Sequence, residues 1–181
     1  METVHGKFAR KQLDSGITLQ SAAVCYRVRD FSVEFLLVNT SSGKWTFPKG
    51  RIEPRLSASE SAAREAWEEA GARGRIEHQH FALYIDTKRT LGHDNQTREI
   101  MIASFLLEVH AAVKPQESDR NPTWFSPEQA RKRLRDARAP KYASQISSII
   151  DAAVDRIDEK KLRGIPQILS RSKRGRMLPL Q

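Results

Sequence analysis

The segment between Ser57 and Gly71 constrains this chain more than any other. Ser57 is followed three residues later by Glu60, a pair that can bind each other's backbone N–H groups at a helix start. Gly71 suits the left-handed position that ends a helix. The spacing predicts a helix from about 58 to 70. At about 100° per residue, Glu69 falls about 40° to one side of Glu65 and Glu68 about 60° to the other. The three carboxylates therefore share a face. Ala62, Ala63, Ala66, Trp67 and Ala70 fill much of the opposite one, where small side chains permit close packing on a core.

Like charges three and four residues apart destabilise a helix by a few tenths of a kcal/mol per pair. A hard cation such as Mg²⁺ or Mn²⁺ relieves that repulsion, because clustered carboxylate oxygens suit it. Taken alone, the three glutamates read first as a solvated acidic face, part of which Arg64 could also neutralise.

The surrounding residues change that balance. Gly50 is followed by five residues, Leu56, seven residues, and then Arg64-Glu65-Ala66-Trp67-Glu68-Glu69-Ala70-Gly71-Ala72. This pattern resembles the Nudix box of the Nudix hydrolase superfamily, in which the position of Leu56 carries a further glutamate. The resemblance extends over residues 19 to about 157. It implies an α/β (α+β) fold, an α/β/α sandwich around a mixed sheet. It also implies hydrolysis of a diphosphate linked to another group, with water attacking phosphorus and Mg²⁺ or Mn²⁺ as cofactor. By the same resemblance Glu65 and Glu69 are metal ligands, and Glu68 is a further ligand or the base. The carbonyl of Lys49 completes the metal shell, and Arg64 orients the glutamates. Glu53 lies in a loop where many members carry an acid. Glu117 is a candidate additional catalytic acid, with a solvated loop residue as the alternative. Leu56 is expected to reduce the number of metals held while activity survives. A nucleotide- or RNA-binding module without turnover is the reading from a different class.

The segment "KWTFPKGRIEP" resembles the stretch that opens the box in diadenosine polyphosphate and diphosphoinositol polyphosphate hydrolases. Lys44, Lys49 and Arg51 are the candidate phosphate contacts, with Trp45 and Phe47 packing the loop. "LQSAA" lacks a Lys/Arg cluster before the first strand, which tilts the expectation toward nucleotides over inositol phosphates. Tyr84 and Tyr142 either stack on a base or pack against the protein. His78, His80 and His93 show no metal spacing with Cys25, so they are read as structural and Cys25 as a buried thiol. Arg89 and Arg98 flank a turn and face phosphate or solvent.

Elsewhere, residues 19–28, 33–39, 75–88 and 97–109 read as strands. A polar segment after the last of these reads as a mobile loop. Ser126 and Pro127 open one helix. Ile146, Ile149, Ile150, Ala153, Val154 and Ile157 mark the apolar stripe of another. The expected organisation is an N-terminal extension (1–18), the hydrolase domain (19–159) and a basic tail (160–181). From Lys160 onward there are seven basic residues and no acidic one. With a net charge of +9, that points to a phosphorylated small-molecule substrate, with RNA as a second partner of the tail. No apolar run approaches the roughly 20 residues of a membrane span, and a lone cysteine excludes an intrachain disulfide. The N-terminal segment lacks the apolar core of a signal peptide, so a cytoplasmic location without membrane contact is expected. Oligomeric state is not legible.

Overall fold

Strand β1 (Thr18–Arg29) organises the fold because both of its faces are covered. Successive side chains of a strand point to opposite faces. Ala22, Val24 and Tyr26 enter one apolar cluster, and Ala23 and Cys25 enter another. The structure, a computed structural model, describes residues 18–89 and 97–164.

β1 lies parallel to β7 (Thr97–Ala112), paired from Thr18 with Ile100 to Tyr26 with Glu108. Its other edge pairs antiparallel with two strands. The end of β1 meets β2 (Ser32–Asn39), and its start meets the short β4 (Lys49–Arg51). β3 (Trp45–Thr46) and β8 (Thr123–Phe125) complete that side against β2. The far edge of β7 carries β5 (Ala72–Ile76) and β6 (Ala82–Arg89). The expected single strand over 75–88 is thus two. Ile76 pairs with Leu107 and Ala82 with Ser104. The first strand advances six residues while β7 advances three, so the surplus around His78 leaves the ladder.

Helix α1 (Ala58–Ala70) covers one face of the sheet. Ala62, Ala66 and Ala70 pack there on Ala23, Leu36, Ala103 and Phe105. Trp67, expected on that face, instead lies at its margin under the Arg73 guanidinium, 5.0 Å from the ring centre. Helices α2 (Pro127–Arg135) and α3 (Pro140–Gly164) cover the opposite face, and Leu134, Ile146, Ile150 and Ile157 enter the larger cluster. The result is an α/β/α sandwich with a mixed sheet. α3 runs through the first residues of the expected tail, and Lys160 pairs with Glu77 at 2.9 Å. The expectations for the segments 1–17 and 165–181 and for His93 lie outside the described residues. Among the described residues, no helix is long and apolar enough to cross a membrane.

Candidate active site

The site begins with the two ends of α1. Ser57 accepts the Glu60 N–H, and the Glu60 carboxylate accepts the Ser57 N–H, so the capping box is closed. At the other end Gly71 adopts φ 63°, and its N–H caps the carbonyl of Trp67 at 2.9 Å. The next terminal carbonyl, Glu68 O, accepts the N–H groups of both Gln116 and Glu117 at 3.0 Å. A helix end leaves such carbonyls without intrahelical partners. Here they fasten the polar segment after β7, expected to be a mobile loop, onto α1. That docking brings Glu117 and Arg120 to the glutamates.

Three carboxylates near the C-terminal end of a helix oppose its dipole, and no basic residue lies in the last turn to offset them. Glu69 is buried at 3% exposure. Its Oε2 accepts the backbone N–H of Lys49 at 3.1 Å, and its Oε1 meets Arg120 Nη2 at 2.7 Å. Burial pushes its carboxyl up to about 7, although Arg120 and the Lys49 N–H pull it down. Glu65 is also raised, first by burial and then by the negative charges of Glu68 and Glu117. Gly50 explains how Glu65 fits, because a Cβ there would fall inside the Glu65 carboxylate.

Glu68 and Arg64 stand slightly apart. Arg64 Nε donates to Glu68 Oε1 and Nη1 to Glu53 Oε2, both at 2.8 Å. The candidate base is thereby held by the arginine expected to orient it. A cleft of about 960 Å³ gathers Lys44, Lys49, Arg51, Glu65, Glu69 and Glu117 along its walls. Arg64, Glu68 and Leu56 are not among its lining residues. Leu56 is half-buried and joins neither core cluster, so it serves neither as a wall of the cleft nor as a core residue.

Three charged lining residues escaped the sequence reading: Arg120, Asp86 and Arg138. Arg138 donates to the carbonyls of Trp45 (2.9 Å) and Leu134 (2.7 Å), and lies 3.4 Å from Asp86. It ties β3, α2 and β6 together behind the cleft. A Glu117-x-x-Arg120 spacing was the available signal for Arg120. Nothing local marked Arg138. Tyr84, a candidate base platform, is instead a core residue at 1% exposure, edge-on to Phe47. The Tyr142 hydroxyl donates to Glu99 at 2.8 Å. His80 packs edge-on to Phe105, and Cys25 is buried with its thiol pushed up by that burial. Arg98 is exposed at the start of β7.

The donor set suits a hard divalent ion: all-oxygen, acidic, and carrying a buried carboxylate whose charge is held by Arg120 and the Lys49 N–H. As the side chains stand, no three acidic or imidazole groups among the described residues converge on one point.

A strand glycine set against a cluster of helical carboxylates, on a mixed sheet between helices, defines an α/β/α sandwich with an acidic centre and basic residues in one cleft. The chain matches the NUDIX domain family over residues 18–145 and belongs to that family. It is 31% identical over 127 residues to rat diphosphoinositol polyphosphate phosphohydrolase 2, covering 66% of this chain and 64% of that protein. It is 47% identical over 47 residues to the pig asymmetrical bis(5'-nucleosyl)-tetraphosphatase, covering 25% of this chain and 32% of that one. The matches thus span less than two thirds of either relative. Among solved structures, the NUDIX domain of Shewanella oneidensis NrtR complexed with ADP ribose aligns at TM-score 0.58 and 17% identity, covering 86% of this chain and 99% of that one. The C. elegans Ap4A hydrolase in a binary complex aligns at 0.54 and 22%, covering 79% and 99%. These two likenesses concern the fold.

Proposed function

We propose that the chain is a metal-dependent pyrophosphohydrolase that cleaves a phosphoanhydride bond, with a dinucleoside polyphosphate or another nucleoside diphosphate derivative as substrate. The observation that carries this reading is the Glu65–Glu69 pair, set into a cleft whose rim carries Lys44, Lys49 and Arg51. Glu65 and Glu69 would hold Mg²⁺ or Mn²⁺, with Glu68 and the Lys49 carbonyl as further ligands. When bound, such an ion neutralises phosphate oxygens and makes a water nucleophilic near neutral pH. The chain's own residues do the rest. Lys44, Lys49 and Arg51 attract and orient the polyphosphate, the lysines as point charges and the arginine through its fork. Arg64 fixes Glu68, the candidate base, through a charge-assisted bond. Glu117 is a second candidate for moving a proton at the cleft.

A second reading, a diphosphoinositol polyphosphate as substrate, has its own support. No aromatic side chain lines the cleft among the described residues, which favours a hydroxyl-rich ring over a stacked base. The test is a panel containing diadenosine tetraphosphate, ADP-ribose and a diphosphoinositol polyphosphate, assayed with and without Mg²⁺ and Mn²⁺. The substrate with the highest kcat/KM decides between the two. Glu69→Gln should lower turnover on it by about two orders of magnitude or more, as loss of a reacting-centre charge does. Near-normal turnover at saturating metal would remove Glu69 from the ligand set. A wild type inert on the whole panel would favour a binding module.

A further inference from the structure

Arg120 grips the carboxylate oxygens that a metal would use. Its Nη2 lies 2.7 Å from Glu69 Oε1 and its Nε 2.6 Å from Glu117 Oε2. The other Glu69 oxygen already accepts the Lys49 N–H. One guanidinium thus spans two acids from separate elements, α1 and the segment after β7, and it keeps its charge at any working pH. Its own support is light. The side chain is 25% exposed, and beyond the two acids its guanidinium reaches only the Asn39 carbonyl among the described residues, with Nη1 donating at 3.5 Å. It sits on a three-residue turn, Ser118–Arg120, that is followed by Asn121 at φ 47°. A partly exposed side chain on such a turn can change rotamer without disturbing the sheet.

We infer that Arg120 is a tethered counterion that competes with the divalent cation for Glu69 and Glu117, and that loading the site releases it into the cleft it already lines. The inference rests on the metal-dependent reading above. A guanidinium 2.7 Å from Glu69 Oε1 repels and crowds a divalent ion at the same oxygen, and because it is held on the same chain it competes at a high effective concentration. The intact site therefore binds metal more weakly than its carboxylates alone would. Once released, the same fork matches phosphate oxygens. Metal and polyphosphate then favour the same arrangement, so each should bind more tightly in the presence of the other.

Mn²⁺ alone is the probe, with free ion read from its electron paramagnetic resonance signal. Full-length wild type, Arg120→Ala and Arg120→Lys are compared. Arg120→Ala should bind Mn²⁺ about tenfold or more tighter, and Arg120→Lys should fall between, since it keeps the charge and loses the fork. Millimolar guanidinium added to Arg120→Ala should push its affinity back toward wild type. A folded Arg120→Ala that binds Mn²⁺ equally well or more weakly overturns the inference, while leaving the metal-dependent reading intact if wild type binds. If neither protein binds Mn²⁺, that reading fails and the inference with it. If Arg120→Ala does not fold, the Nε–H resonance of Arg120 in arginine-labelled wild type provides the decision, assigned with Arg120→Lys. It should shift with Mg²⁺ at the midpoint of metal binding; a resonance unmoved at saturating Mg²⁺ overturns the competition.

Discussion

Under the proposed metal-dependent reading, Glu69 sets function against stability at one residue. Its carboxyl is raised from 4.5 to about 7, mainly by burial. Between those values the unfolded chain loses a proton that the folded, metal-free chain keeps. The folded state binds more protons there, so its stability falls as pH rises from about 4.5 to about 7 and then levels. Glu69→Gln should flatten that fall. In EDTA near pH 8 it should be more stable than wild type, with Arg120 keeping Glu117 as its partner, even as it loses turnover. Urea titrations at about pH 5 and 8 check this; a variant no more stable than wild type at the higher pH refutes it. Gly50→Ala makes a different demand, because its new Cβ must displace the Glu65 carboxylate. It should cost little stability, since only the mobile end of the Glu65 side chain must move, but should weaken Mn²⁺ binding at least tenfold, read by the same resonance assay. Leu56→Glu should alter neither melting temperature nor metal affinity appreciably, since Leu56 reaches neither the cleft nor the core. The glutamates and Gly50 were legible because a fixed spacing on one helix and its preceding loop carries them. Arg120 and Arg138 were not, because their partners are set only by tertiary packing.

Among the elements, α1 was the most legible. The serine–glutamate box and the glycine stop are local signals, and the helix bounds follow from them. β3 and β4 went unread because strands of two and three residues show no periodicity. The break between β5 and β6 was invisible for a related reason: alternation marks a strand, but surplus residues can be counted only against the partner strand. Gly71 joins two elements at once. It ends α1 in a left-handed conformation, its carbonyl accepts the Val113 N–H at 3.0 Å, and a Cβ there would strike the Val113 carbonyl. Gly71→Ala should therefore cost more than the ordinary roughly 1 kcal/mol of a left-handed alanine. It should also loosen the segment that carries Glu117 and Arg120. Hydrogen exchange at the Gln116 and Glu117 amides measures this directly, and unchanged protection would count against the docking described here.

For the whole molecule, the sandwich follows from a central strand buried on both faces and from helices patterned for one face each. Charge distribution adds a prediction. Arg171, Lys173, Arg174 and Arg176 crowd the last residues without an acid among them. Deleting residues 165–181 should raise KM for highly charged substrates at low salt with little change in turnover. That difference should vanish as salt screens attraction over about 8–10 Å; equal low-salt KM values would dismiss an electrostatic role. The parallel pairing of Thr18–Tyr26 with Ile100–Glu108 has a consequence for how the protein is made. The family motif is complete once residue 72 leaves the ribosome, but β4 hangs from β1, and the segment bearing Glu117 and Arg120 hangs from β7. A nascent chain carrying every motif residue thus still lacks the assembled cleft. Closure waits for the second half to be translated and to insert beside the first strand, a long-range step of the kind that folds slowly.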